Sequence, residues 1–229
     1  MLGYSLEFHI HRIVCRRFAF EASVIESLRA KHSSKMKNFP EGQKLPSRIE
    51  VLSTFIWTRF VAVTVEEGSK KVHLVAWTVN LRPRMEPPLP EYAFGNYLWM
   101  IRTFPTLEEN LGVKLREELN KIDQDFMVKL READEWKKLQ QRSSSREDKI
   151  VVPFAFTPLC WFPVHEVNFG WGNPTWAGPP TWKFKNSVVF KDTKSGGGIE
   201  VYISLSEEDM AKLERDEEFL AHVSTTRLK

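Results

Sequence analysis

Few side chains in this sequence could carry out chemistry, and their spacing limits which kind. Cys15 and Cys160 stand far apart. Two cysteines make no disulfide framework, and they hold no zinc without histidine and carboxylate help, so buried free thiols are expected, as in a reducing compartment. The run Lys194-Ser195-Gly196-Gly197-Gly198 shares only its glycines with a phosphate-binding loop. It lacks the Gly-Lys-Ser/Thr ending, and no helix follows to aim its amides at a phosphate. Lys70, Lys71, Arg82 and Arg84 could attract an anion, but a solvated basic surface is the simpler account. Six histidines remain. Histidine is the side chain best suited to general-base work at neutral pH.

His165 opens the least ordinary stretch of the chain, VHEVNFGWGNPTW from Val164 to Trp176. The residues after it include no nucleophile and no general base. A short apolar strand is expected to enter the stretch. Gly170 and Gly172 permit backbone angles that a side chain would block, so Trp171 is expected to lie flat against neighbouring backbone. Pro174 stops further sheet pairing.

These residues need elements to position them. The chain has 229 residues, 42% hydrophobic and 28% charged, enough to bury one large core or two small ones. Its 33 basic and 30 acidic residues leave a net charge of +3, too mild to imply nucleic acid or an anionic membrane surface. The N-terminal run has no apolar stretch long enough for a signal peptide or a membrane span, so a cytoplasmic protein is expected.

Four hydroxyl residues with an acid three positions later predict helix starts: Ser23 with Glu26, Ser47 with Glu50, Thr106 with Glu109, and Ser206 with Asp209. The run after Ser47, RIEVLSTFIWTRFVAVTVE, is apolar on most faces and predicts a buried core helix. Leu111, Leu115, Leu119, Ile122, Phe126 and Leu130 form one helical stripe and predict a long helix from about Leu107 towards Gln141. Strands are predicted in HRIVCRRFAFE, KVHLVAWTVNLRPR and KIVVPFAFTPLCWF, with QRSSSREDK as a linking loop. SVVFKDTKSGGGIEVYISLS predicts a hairpin. The loose alternation predicts an α/β domain of layered α+β character, a mixed β-sheet packed with helices.

The segment VNFGWG resembles the DFGWG signature of the BAHD acyltransferases, plant enzymes that move an acyl group from coenzyme A to an alcohol or amine. RRFAFEASVIESLRAK, SRIEVLSTFIWTRF, VNLRPRMEPPLPEYAFGNY and GIEVYISLSEEDMAKLERDEEFL are similar to further family blocks, in family order. The likeness covers nearly the whole chain. SRIEVLSTFIWTRF is most similar to members that acylate alkaloid or terpenoid alcohols.

The resemblance implies a chloramphenicol-acetyltransferase-like fold. It implies acyl-CoA and a small-molecule alcohol as co-substrates, with no permanently bound cofactor and no metal. It also implies that the chain matches only the C-terminal half of such an enzyme: a single domain over 1–229, with 1–20 a remnant of the interdomain crossover and first strand. The family's catalytic histidine belongs to an HxxxD motif of the N-terminal domain. None of His9, His11, His32, His73, His165 and His222 has an aspartate four residues later, so that domain is expected to be absent and no catalytic residue is assigned. Two functions remain open. One is a half-enzyme, inactive alone and completed by an N-terminal domain; the other is a non-catalytic truncated paralogue that binds a ligand or a protein. Either would expose the face that meets the missing half, which predicts self-association or poor solubility.

Several residues inherit expectations from the resemblance. Asn168, Phe169, Gly170, Trp171 and Gly172 form the structural motif, with Asn168 where the family has an aspartate paired with an arginine. Arg82 is the arginine expected opposite it, in a pair that has lost its charge assistance. In FTPLCWF, related enzymes often read Thr-Ser-Trp; Thr157 matches, while Pro158 and Leu159 replace the other two. Thr157 and Leu159 are expected to face the acceptor, with core packing the alternative for Leu159. Ser53 is expected to border the coenzyme A channel and Trp57 to lie in the core. His165 is either a substitute base or a hydrogen-bonded structural residue.

Overall fold

The computed structural model describes residues 12–35, 45–65, 71–90, 92–106, 109–131, 151–179 and 184–224. In chain order its elements are β1 (Ile13–Phe20), α1 (Ala22–Lys35), α2 (Arg48–Thr64), β2 (Val72–Asn80), β3 (Leu98–Thr103), α3 (Leu111–Asn120), α4 (Gln124–Arg131), β4 (Val151–Pro158), β5 (Ser187–Asp192), β6 (Ile199–Ser206), α5 (Glu207–Leu213) and α6 (Glu217–Leu220). The strands form one six-stranded sheet in the order β1-β6-β5-β4-β2-β3. β4 runs parallel to both neighbours, β2 and β5, while the remaining pairs are antiparallel. This is the expected mixed sheet with helices.

Side chains alternate across a strand, so each strand serves two faces. One face carries Phe18, Phe20, Val75, Trp77, Phe154, Phe156, Val188, Phe190, Val201 and Ile203, all buried. α2 lies over it with Leu52, Phe55, Ile56, Trp57 and Phe60 buried, so Trp57 is a core residue as expected. Burying each such side chain contributes roughly 1.5–3 kcal/mol.

Polar contacts seat this helix layer. Ser47 and Glu50 form the predicted capping box: the Glu50 backbone N–H donates to Ser47 Oγ, and Ser47 N–H donates to Glu50 Oε2 at 2.6 Å. The same carboxylate accepts two hydrogen bonds, each 2.9 Å, from Arg116 of α3. Burial works to raise the Glu50 pKa, but the bonds from Arg116 and Ser47 outweigh it and hold the group below the usual carboxylate value. Asp216 repeats the device: it caps α6 through Phe219 N–H and takes a bidentate pair from Arg59 of α2 at 3.0 and 2.7 Å. Ser206 caps α5 as predicted.

Other boundaries differ from the sequence reading. α1 begins at Ala22, so Ser23 lies inside the helix rather than capping it. Thr106 and Glu109 do bond to one another, but α3 starts at Leu111 under the side chain of Asn110. The predicted long helix is two: Asp123 accepts from Phe126 N–H and starts α4 afresh, and the Ile122 carbonyl, outside both helices, accepts from Arg84 at 3.2 Å. Its expected continuation, with the QRSSSREDK loop, lies outside the described residues. β3 was not predicted as a strand, and Val164–Val167 form none. Cys160 is buried and Cys15 only partly so; both are free.

His73 is 6% exposed, and neither ring nitrogen has a hydrogen-bond partner. It packs edge-on against Trp57 at 5.1 Å. Burial, with the nearby Lys71 charge, lowers its pKa below the ordinary 6.5. The unfolded chain therefore binds a proton at this site at a pH where the folded chain does not, and stability falls as pH drops through 6.5. His73→Phe is expected to shrink the loss of urea midpoint between about pH 7.5 and about pH 5. An unchanged loss would show that His73 is not the group responsible.

Candidate functional site

β4 decides which residues can meet a ligand. Phe154 and Phe156 point into the helix layer, so Thr157 and Leu159 point to the opposite face. That face is unequal along the sheet. Over β5 and β6 it is covered by the 161–179 segment: Lys194 Nζ donates to the Pro174 carbonyl at 3.1 Å, and Val189, Lys191 and Tyr202 are buried. Over β4, β2 and β3 it is open, with Val151, Leu98 and Met100 exposed. Leu159 is 36% exposed at this open face, so it is not a core residue. Thr157, beside Val189 in the ladder, is half-buried.

Ser53 goes the other way. It is 0% exposed, and its Oγ has no hydrogen-bond partner. The expected coenzyme-facing role is therefore not available to it here, because the apolar character of α2 on most faces buries this position too.

The NFGWG loop is held by its own amide. Asn168 Oδ1 accepts from Gly170 N–H at 2.8 Å and Gly172 N–H at 3.2 Å. Both glycines have positive φ, 104° and 105°. A Cβ at either would meet nothing within 4 Å, so it is backbone conformation rather than lack of space that calls for glycine. Trp171 does not lie against backbone as expected; it is 84% exposed and tilts over Phe169 with ring centroids 5.7 Å apart. Arg82 does not pair with Asn168. Its guanidinium donates to the Ala93 carbonyl at 3.2 and 3.0 Å and the Gly95 carbonyl at 2.6 Å, and lies 5.2 Å from the Tyr97 ring centre. These carbonyls belong to the loop after β2, close in sequence to Arg82. Arg84 likewise donates to the Ile122 carbonyl, so both arginines of the basic cluster are engaged by backbone, while Lys70 lies outside the described residues.

Nor is His165 a free base. Lys191 Nζ stands 3.1 Å from His165 Nε2 and 3.0 Å from Glu200 Oε2. An ammonium has only donors, so Nε2 accepts and the ring proton is on Nδ1, a buried atom with no partner. The structural reading of this histidine holds. Cys160 is no nucleophile either: burial, with the nearby Asp192 carboxylate, pushes its thiol up to about 12.

The end of the sheet carries a feature that the sequence did not announce, lined by Trp77 and Val79 from the helical face and by Thr78 and Asn80 from the open one. A cleft of about 1110 Å³ lies under the loop after β2, bordered by Pro158 and Cys160, the residues alternating with Thr157 and Leu159. Trp161 at its edge has φ 74°, held by its N–H donating to Asp192 Oδ2 at 2.7 Å. Arg48 bonds Asp192 at 3.1 Å and lies 5.2 Å from the Trp161 ring centre. The alternation was legible in FTPLCWF; the positive φ was not.

Because Arg82 and Asn168 serve separate loops, their substitutions should be independent. Arg82→Ala and Asn168→Ala are expected to be additive in urea unfolding within about 0.5 kcal/mol. A coupling of about 1 kcal/mol or more would restore the pair.

The model of the Transferase family matches residues 7–220. A limonoid 7-O-acetyltransferase of Citrus sinensis is 34% identical over 226 residues, covering 92% of this chain and 48% of that protein. Vinorine synthase of Rauvolfia serpentina is 32% identical over 213 residues, covering 88% and 46%. The crystal structure of vinorine synthase superposes with a TM-score of 0.67 at 30% identity, covering 93% of this chain and 48% of that one. F. sporotrichioides TRI101, crystallised with coenzyme A and T-2, gives a TM-score of 0.68 at 19% identity, covering 98% and 54%, a likeness of fold. The chain spans about half the length of the relatives it matches. With the sheet, its helix layer and the family match in agreement, the chain belongs to the Transferase family of BAHD acyltransferases.

Proposed function

We propose that this chain is the C-terminal domain of an acyl-CoA-dependent O-acyltransferase that acylates an alcohol of a plant specialised metabolite, alkaloid or terpenoid. It would be inactive alone and completed by an N-terminal HxxxD-type domain, in the same polypeptide or another. The observation that carries this reading is the open face over β4, β2 and β3, onto which Thr157 and Leu159 project, in a chain that covers 48% of a relative's length. A base is needed within hydrogen-bond reach of the acceptor hydroxyl and is worth roughly 10²–10⁴-fold. His165 is engaged by Lys191 and His73 is buried, which supports a base supplied from across the open face. Acyl-CoA and the alcohol would then meet between the two halves, as ligands commonly do at domain interfaces. No helix among the described residues is long and apolar enough to cross a membrane.

A second reading, a non-catalytic binding or interaction module, draws on Leu159, where a tryptophan wall would stand in related enzymes, and on the uncharged Asn168. One assay separates the two. Purified chain is given labelled acetyl-CoA and a panel of alkaloid and terpenoid alcohols, with and without an added N-terminal BAHD domain. Turnover is expected only with the added domain. Turnover by the chain alone would overturn the half-enzyme reading, and none in either arm would favour the binding module.

The exposed arm also bears on assembly. Trp161, Phe162, Phe169, Trp171, Trp176 and Phe184 are all exposed within one short stretch, beside the open sheet face. Apolar surface on this scale marks an association site. The chain alone is expected to self-associate in sedimentation at micromolar concentration and to do so less once an N-terminal domain is added. A clean monomer would contradict this.

A further inference from the structure

We propose that the 161–179 arm is a strap released by one proton on His165, so that mild acid uncovers the sheet face over β5 and β6. Polar contacts fasten the arm along its length. At its start the Trp161 N–H donates to Asp192 Oδ2 at 2.7 Å. Further on, Lys191 Nζ of β5 donates to His165 Nε2 at 3.1 Å, and Lys194 Nζ of the hairpin turn donates to the Pro174 carbonyl at 3.1 Å. Between the two lysines, Asn173 Nδ2 donates to the His165 carbonyl at 3.2 Å and closes the NFGWG loop into one body. Of these acceptors, His165 is the residue type whose charge changes between about pH 5 and 8.

The surroundings of His165 leave no place for a second proton. Lys191 is 6% exposed, so water screens its charge weakly, and its ammonium stands 3.0 Å from Glu200 Oε2 of β6. That carboxylate is already shared. The Tyr202 hydroxyl donates to the same oxygen at 3.0 Å, and Arg17 of β1 lies 3.5 Å from Oε1. Burial, with the Glu200 charge, pushes Tyr202 up to about 12, so it stays a neutral donor. Two cations, Lys191 and Arg17, thus face one carboxylate, and Glu166, the next residue of the arm, is turned to solvent. An imidazolium has donors on both nitrogens. On His165 it would replace the Lys191 bond with two like charges 3.1 Å apart. Nδ1 offers no relief, being buried without a partner.

Release removes the conflict. In water a histidine takes up a proton as pH falls through about 6.5. The released arm therefore binds a proton that the fastened arm excludes, and its share rises by up to about tenfold for each pH unit below that value. Tyr202 marks what is uncovered. It is 7% exposed and lies under the arm, where a Cβ on Gly178 would stand 3.0 Å from its hydroxyl. With the arm away, Val189, Lys191 and Tyr202 would join the open face of β4, β2 and β3, which would then extend across most of the sheet.

The test is hydroxyl-radical footprinting of the full chain at about pH 7.5 and about pH 5.5, read by peptide mass. Phe94, 99% exposed and outside the arm, is the reference, and the buried Phe156 and Phe190 report on the core. Tyr202 oxidation is expected to rise several-fold at the lower pH, up to about tenfold, while both core rings stay protected. His165→Gln keeps an acceptor but takes no proton, and is expected to leave Tyr202 protected at both pH values. His165→Arg, a fixed cation, is expected to uncover Tyr202 already at the higher pH. Equal protection of Tyr202 at both pH values in the unaltered chain would overturn the proposal. So would a rise that survives His165→Gln, protection that survives His165→Arg, or oxidation of the core rings in step with Tyr202.

Discussion

Where this chain can touch a ligand is decided by the alternation of side chains along β4. Its ladder contacts with β2 and β5 are parallel on both sides, so its register is bound into the centre of the sheet. A slip of one residue would send Phe154 and Phe156 out of the core and bring Thr157 into it. The register that buries those two rings therefore also presents Thr157 and Leu159 to the open face, and Pro158 and Cys160 to the cleft. Packing and ligand access are two results of one choice.

The helix layer is kept in place by acids with two tasks. Glu50 closes a helix N-terminus and receives Arg116 from the next helix; Asp216 closes another and receives Arg59. Each carboxylate thus joins a local boundary to a distant element. At the end of β2 the basic residues are tied to backbone instead, Arg82 to the Ala93 and Gly95 carbonyls and Arg84 to that of Ile122. Lys191, buried between His165 and Glu200, shows the same pattern on the other face.

Much of this architecture was legible in the sequence because it is local. The Ser47–Glu50 capping box, the Ser206 cap, the glycine-linked hairpin of β5 and β6, and the buried run of α2 all depend on residues close together in the chain. The misreadings share a different cause. The stripe from Leu111 to Leu130 is continuous, and its step of three from Leu119 to Ile122 fits a helix, so Asp123 gave no sign that it would start a new one. β3 was hidden behind a loop motif. The burial of Ser53 and the partners of Arg82 depend on what packs around them, which spacing does not carry. Thr157 and Leu159 lie on the open face of the sheet, a direction that strand period alone sets.

The Asn168 loop has one further consequence. Its two glycines are surrounded by open space yet sit at φ 104° and 105°, and Asn168 Oδ1 collects their amides. The motif therefore selects for handedness rather than for size. A mirror-image residue such as D-alanine would fit at either position where its L form would not. In that sense the signature by which the chain is recognised is a stereochemical one, written by the absence of a chiral centre at two points of a loop.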